Sequence, residues 1–271
     1  MGSGVAQTCA EFGLPTTLID QSDADLEAAR QRIREGVRAS NFTRPREDRV
    51  KATALLEKIC FSTDLEDVAD CDIVIENITE KWDLKAAVYE RLKALCPPDT
   101  LFLINTSVFP ITKVGLALER PQNVVGVHFM NPVRMKATAE VIRGNNSSSS
   151  SVDRTLAFLE SIGKDGIVVN DAPGFVSNRV LMLTINEAIY TVHEGTADAR
   201  SVDAVFKRCF GHPMGPLETG DLIGLDTILY SLEGLHNELK DPKFMPCPLL
   251  QEMVDAGQHG RKSGQGFYTY V

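Results

Sequence analysis

Short continuous apolar runs alternate with helical periodicities through the first two thirds of the chain. The opening "MGSGVAQTCAEFG" is a glycine-spaced run of small residues that leads straight into an amphipathic helix. "PTTLID" (Pro15 to Asp20) reads as a strand, and a long charged helix follows from Ser22 to about Arg38. "CDIVIEN" (Cys71 to Asn77), "TLFLINTS" (Thr100 to Ser107) and "NVVGVHF" (Asn123 to Phe129) read as further strands, with helices over Leu84 to Leu95 and "ITKVGLAL" between them. "AEVIRG" and "GIVVND" close the series. Apolar strands alternating with helices predict an α/β unit with a doubly wound parallel sheet, covered by helices on both faces. From "DAPGFVSNR" onward the periodicity is helical almost to the end, broken by turn signals at "GHPMGP" and "KDPKFMPCP". The pattern therefore predicts two domains, residues 1–170 and an all-α domain over 171–271. The run "GNNSSSSSVDRTL" reads as a polar loop and helix cap, with a helix beginning around Val152, rather than as a linker.

Composition narrows the classes. The 271 residues are 43% hydrophobic and 24% charged, which is globular usage. A formal charge of −9 gives no electrostatic footprint for nucleic acid or for an anionic membrane. No apolar run approaches the roughly 20 residues needed to span a bilayer, and no secretory signal is evident. The 6 cysteines are scattered with no C-x-x-C pair, as expected of reduced thiols in a soluble cytoplasmic protein. No histidine pair has metal-ligand spacing, so no metal is expected.

The glycines at the start raise a specific possibility. A dinucleotide fingerprint, G-x-G-x-x-G, lets the backbone approach a pyrophosphate at a helix N-terminus, and an acid about 20 residues on holds the ribose. If Gly2 is the third glycine, Asp20 stands where that acid belongs, and the first strand of a Rossmann-like sheet is missing from the sequence. "MGSG" also suits an ordinary helix start, and Asp20 an ordinary turn. Because that first strand is central in such a sheet, its omission would leave strand edges unpaired. The expectation is that the sequence begins late, or else that the nucleotide site is weakened.

Five stretches carry more specific information: "NTSVFPIT", "GVHFMNPVRMKATAEVIRG", "DAPGFVSNR", "GHPMGPLETGDLIGLDTILYSLEGL" and "GRKSGQGFYTY". In this order and spacing the chain resembles the 3-hydroxyacyl-CoA dehydrogenase family, of the short-chain 3-hydroxybutyryl-CoA type, over essentially its whole length. The resemblance implies a nucleotide-binding domain followed by a helical domain that forms a homodimer, with an active site in the cleft between the two domains. It implies NAD as cofactor and reversible hydride transfer at C3 of an acyl thioester. His128 matches the catalytic base and Glu140 its orienting partner. Ser107 and Asn178 match the residues that hold the substrate oxygen. For the cofactor, the resemblance assigns Gly2 and Asp20, then Glu80 and Lys85, then Asn105, Ser107 and Asn131 on the nicotinamide side, and Lys262.

The chemistry of these residue types agrees. Hydride can leave a secondary alcohol only if the hydroxyl proton also leaves, and an imidazole suits that task near neutrality. His128 follows an apolar strand, at the carboxyl end of the sheet where α/β proteins bind ligands. Two departures from the family pattern stand out. The stretch after the histidine is usually close to HFFNPVPVMKLVE and here reads "HFMNPVRMKATAE"; and Pro110 replaces a serine. The C-terminal runs resemble a biosynthetic subgroup that acts on acyl carrier protein in making polyketide extender units. Acyl-CoA and acyl carrier protein therefore both stay open as substrates, with Arg134, Lys136 and Arg143 as candidate carrier contacts. A catalytically impaired nucleotide-binding or scaffold homologue is the alternative that a truncated glycine turn would favour.

Overall fold

The computed structural model describes residues 1–270, excluding the side chains of residues 43 and 48, and separates into two compact units, Met1–Asp171 and the residues from Ala172 on. The first unit runs α1 (Gly2–Glu11), β1 (Thr16–Ile19), α2 (Asp23–Thr43), α3 (Ala52–Leu56), β2 (Ile59–Ser62), β3 (Ile73–Glu76), α4 (Trp82–Leu95), β4 (Leu101–Ile104), α5 (Ile111–Ala117), β5 (Val124–His128), β6 (Thr138–Arg143), α6 (Ser149–Ser161) and β7 (Asp165–Asn170). The α/β alternation expected from the pattern is what forms.

Local chemistry explains the boundaries. Ser22 caps α2 by accepting the Asp25 N–H at 3.2 Å, with Asp23 and Asp25 in the first turn facing the helix dipole. This helix runs to Thr43, five residues past the expected end near Arg38, and stops where Pro45 forces Arg44 into extended backbone. Within the serine run, Ser148 accepts the Ser151 N–H at 3.1 Å, so α6 starts three residues before Val152.

The sheet differs from a single parallel one in two ways. β1 and β2 pair parallel with each other, and β3 to β7 form a second sheet in sequence order. Among the described residues no strand is hydrogen-bonded between β1 and β3. Helix α1 joins the two packing regions through adjacent stripes. Val5 and Cys9 lie in one core with Leu103 and Val125, while Ala6 and Ala10 lie in another with Ile33 and Ile59. In the second sheet β5 and β6 are antiparallel, whereas β3–β4, β4–β5 and β6–β7 are parallel. A parallel return needs a crossover of a dozen or more residues, usually helical. The β5–β6 connection holds only one 3-10 turn, Val133–Met135, so the chain must double back. β4 and β5 are buried throughout, and α5 crosses β5 so closely that a Cβ on Gly126 would sit 2.6 Å from Ile111.

The second unit contains α7 (Ser177–His193), α8 (Ala199–Cys209), α9 (Pro216–Ile223), α10 (Leu225–Leu239) and α11 (Pro248–Asp255) around a core that includes Ile185, Leu217, Ile228 and Phe244. Two buried carboxylates tie its ends together. Asp221 accepts the Phe267 and Tyr268 N–H groups at 3.0 Å each and the Tyr270 hydroxyl at 2.9 Å. Asp203 accepts the Leu217 and Glu218 N–H groups, both at 2.9 Å, and the Tyr268 hydroxyl at 2.7 Å. No helix among the described residues is long and apolar enough to cross a membrane.

Candidate active site

The antiparallel turn-back is what builds the site. It puts His128, the last residue of β5, directly opposite Glu140 in the β5–β6 register. Directly opposed residues hold their Cβ atoms about 5 Å apart, a separation that a carboxylate and an imidazole can bridge. His128 Nδ1 lies 3.2 Å from Glu140 Oε2, and both residues are only 8% exposed. A carboxylate only accepts, so Nδ1 carries the proton and donates to Glu140. With the proton assigned to Nδ1 by that contact, Nε2 accepts the Ser107 hydroxyl, whose Oγ is 2.9 Å away. The result is a continuous line from Glu140 through His128 to Ser107 at the carboxyl ends of β4 and β5.

The loop after β4 is fixed from several sides. Asn105 Nδ2 donates to Asn77 Oδ1 at 2.7 Å, and Asn105 Oδ1 accepts the Phe129 N–H at 3.2 Å. Thr106 Oγ accepts the Val108 and Phe109 N–H groups at 3.2 and 3.1 Å, turning the chain toward α5. Asp171 then caps α5, accepting the Ile111 N–H at 3.1 Å and the Thr112 N–H at 2.8 Å.

Other residues expected at the site fall into four groups. Gly2 begins α1 against Asn77, and Asp20 follows β1, where its carboxylate accepts the Gln21 N–H at 2.9 Å. Glu80 accepts the Ser107 N–H, while Lys85 is fully buried with its ammonium 2.8 and 2.9 Å from the two Glu76 oxygens. Asn131 is exposed in the loop after β5. Asn178 and Lys262 belong to the second unit. Asn178 lies half-buried in the first turn of α7, and Lys262 Nζ donates to Asp226 Oδ2 at 2.6 Å.

Several contributors went unnoticed in the sequence. Glu76 is a charge at the end of an apolar strand, and Tyr89 lies four residues after the expected Lys85, on the same face of α4. Burial, with Glu76 beside it, pushes the Tyr89 hydroxyl well above its ordinary pKa. Lys164 holds the loop after β5 by donating to the Val133 and Lys136 carbonyls, each at 2.6 Å, and burial lowers its pKa. The six cysteines are all free. Among the described residues no group of three or more His, Cys, Asp or Glu side chains could hold a metal.

The arrangement fits a nicotinamide dinucleotide. Helix α1 starts at Gly2 with no side-chain cap; the Gly4 N–H donates to the Met1 carbonyl at 2.8 Å, and the Gly2 and Ser3 N–H groups ahead of it could meet a pyrophosphate. The Asp20 carboxylate after β1 could accept from a ribose diol, and the ends of β4 and β5 offer amide, hydroxyl and imidazole groups.

Residues 1–172 match the family description "3-hydroxyacyl-CoA dehydrogenase, NAD binding domain", and residues 174–270 match the corresponding C-terminal domain. The chain belongs to the 3-hydroxyacyl-CoA dehydrogenase family. Its cofactor is NAD, and its class is that of oxidoreductases acting on the CH–OH group. Within the family it is 44% identical to a probable 3-hydroxybutyryl-CoA dehydrogenase of Bacillus subtilis, over all of this chain and 94% of that one. It is 39% identical to a 3-hydroxybutyryl-CoA dehydrogenase of Bradyrhizobium diazoefficiens, over all of this chain and 92% of that one. Among solved structures, (S)-3-hydroxybutyryl-CoA dehydrogenase of Ralstonia eutropha superposes with a TM-score of 0.92 at 37% identity, covering all of this chain and 95% of that one.

Proposed function

We propose that this dehydrogenase interconverts a short-chain 3-hydroxyacyl-CoA and its 3-oxoacyl form, with His128 as the general base. The observation that carries the reading is the Glu140–His128–Ser107 line, with Nε2 of the ring turned to a hydroxyl and Nδ1 held by a carboxylate. In the oxidative direction Nε2 takes the proton from the C3 hydroxyl. Glu140 keeps the proton on Nδ1 and stabilises the imidazolium that forms. With substrate bound the Ser107 hydroxyl turns from Nε2 to the same substrate oxygen, and the family resemblance assigns Asn178 as a second donor to it. NAD, when bound, supplies the hydride acceptor. In the reductive direction His128 returns the proton to the oxygen.

The relatives reported above are named for CoA thioesters, which supports CoA over a carrier protein. The assembled catalytic line favours turnover over a binding-only role. A pairing of two copies through the second unit belongs to the same proposal. It is supported by Val176, Val180 and Phe210, large apolar side chains of that unit that stay 54, 59 and 65% exposed.

The test is NADH consumption by the purified chain with acetoacetyl-CoA, followed by NADH absorbance and by identification of the product. Conversion to 3-hydroxybutyryl-CoA supports the proposal. Absence of conversion with acetoacetyl-CoA, alongside turnover of the same acyl group on a carrier protein, would overturn the CoA assignment.

A further inference from the structure

Among the buried ionisable groups the mechanism does not use is a cluster at the end of β3. Glu76 at the end of β3 is 4% exposed, and Lys85 and Tyr89 on α4 are both 0% exposed. Lys85 Nζ donates to both oxygens of Glu76, and the Tyr89 hydroxyl donates to Glu76 Oε2 at 2.6 Å. The Ile78 N–H also donates to Glu76 Oε1, which fixes the turn after β3. An ammonium so deep in the protein must keep its carboxylate partner, so this cluster is a rigid anchor between β3 and α4.

From that anchor a second carboxylate reaches the active-site loop. Glu80 Oε2 lies 3.6 Å from Lys85 Nζ, the same ammonium that binds Glu76. Glu80 Oε1 accepts the Ser107 N–H at 2.8 Å, and Oε2 accepts the Thr106 hydroxyl at 2.9 Å. Ser107 in turn brings its Oγ to 2.9 Å from His128 Nε2. One carboxylate thus takes the main-chain donor of Ser107 and the side chain of its neighbour, and a buried lysine limits where that carboxylate can sit.

We propose that Glu80 is a positioning residue for Ser107, and that Lys85 acts from inside the protein as the post to which Glu80 is tied. This rests on the function proposed above for Ser107 and adds a role the resemblance does not assign, since it places both residues among the cofactor contacts. The geometry of Lys85 favours the internal role, because its ammonium is fully buried against Glu76. Glu80 sets the direction of the Ser107 hydroxyl by holding the amide of the same residue. A reacting group displaced by about 1 Å costs on the order of a hundredfold in rate, so a loosened loop is expected to be visible in turnover.

The test compares Glu80→Gln, Ser107→Ala and the double variant. Glu80 is partly exposed, so its isosteric replacement is expected to fold, which a thermal melt checks; Lys85→Met is the riskier second variant. With acetoacetyl-CoA and saturating NADH, Glu80→Gln is expected to lower kcat about tenfold to a hundredfold. The NADH dissociation constant, read by fluorescence titration, is expected to stay within about threefold. The double variant is expected to be no slower than Ser107→Ala alone, because both changes remove the same interaction. A tenfold or larger loss of NADH affinity with kcat preserved would overturn the proposal and return Glu80 to the cofactor. Multiplicative losses in the double variant would overturn it as well. A readout independent of turnover separates this proposal from the catalytic one. The imidazole 15N shifts of His128 are expected to move in Glu80→Gln and in Ser107→Ala, with no further movement in the double variant. Unchanged shifts in Glu80→Gln would refute the positioning role even in a chain that turned over no acyl-CoA.

Discussion

Replacing Glu140 by glutamine isolates what a negative charge does behind the imidazole proposed as the base. The substitution keeps size and an oxygen that can still accept from Nδ1, so the 3.2 Å contact survives in outline. What is lost is the attraction between a carboxylate and the imidazolium. At about 4 Å and an effective dielectric of about 20, two unit charges attract by about 4 kcal/mol. Both residues are 8% exposed, so water screens the pair little. The proton is only part-way across in the transition state, so between half and all of that attraction is felt there. The expected loss in kcat/KM is therefore between about thirtyfold and about a thousandfold. The assay is acetoacetyl-CoA reduction by NADH, with a thermal melt to show the fold is retained and a fluorescence titration to show that NADH still binds. If the variant is correctly folded and stays within about threefold of the unaltered protein, the charge on Glu140 does not assist His128 and the reasoning fails.

Two further outcomes follow from the packing and the titrating groups. Gly126→Ala would drive a methyl to 2.6 Å from Ile111 and 2.9 Å from Ile142, with an expected cost of about 1–3 kcal/mol; an unchanged thermal midpoint would contradict the close approach of α5 to β5. Burial first, and then its bond to Asp221, raise Tyr270 from 10.0 to about 12, and Tyr268 is raised by burial and Asp203. A hydroxyl whose folded pKa is raised contributes stability that is complete below 10 and is lost as pH climbs through the folded value. The urea midpoint of the protein is therefore expected to fall between about pH 10 and about pH 12, and Tyr270→Phe is expected to flatten that slope; equal slopes would refute the assignment.

The strands and motifs that carry the chemistry were legible in the sequence because each is a local pattern. A continuous apolar run such as "TLFLINTS" can only be a buried strand or helix, and its length and flanking polar residues decide for strand. The family resemblance was legible too, since five separated motifs fell in register. What was not legible depends on distant partners. The antiparallel pairing of β5 and β6 follows from the shortness of the connection after His128, yet nothing in "AEVIRG" itself signals direction. The four-residue strand β2 was missed because "ICFS" is too short to show a period. The α2 boundary was set too early because Arg38 and its neighbours weaken the apolar signal, although Pro45 marks the true stop. Nothing local in the sequence marks Glu76 and Tyr89, and the resemblance places Lys85 at the cofactor; only the packing of α4 on β3 brings the three together inside the protein. Lys164 was likewise an unremarked lysine until its ammonium met two carbonyls across the fold.

The central claim is that His128 moves the proton while hydride passes between the substrate and the nicotinamide. A single-turnover experiment tests it most directly: excess enzyme already loaded with NADH is mixed rapidly with acetoacetyl-CoA, and the loss of NADH is followed in the unaltered protein and in His128→Gln. A fast single-turnover phase is expected in the unaltered protein. In the variant that phase is expected to slow by about a hundredfold to about ten-thousandfold, with NADH still bound as tightly. A variant that consumed NADH in that first turnover at the unaltered rate would contradict the account.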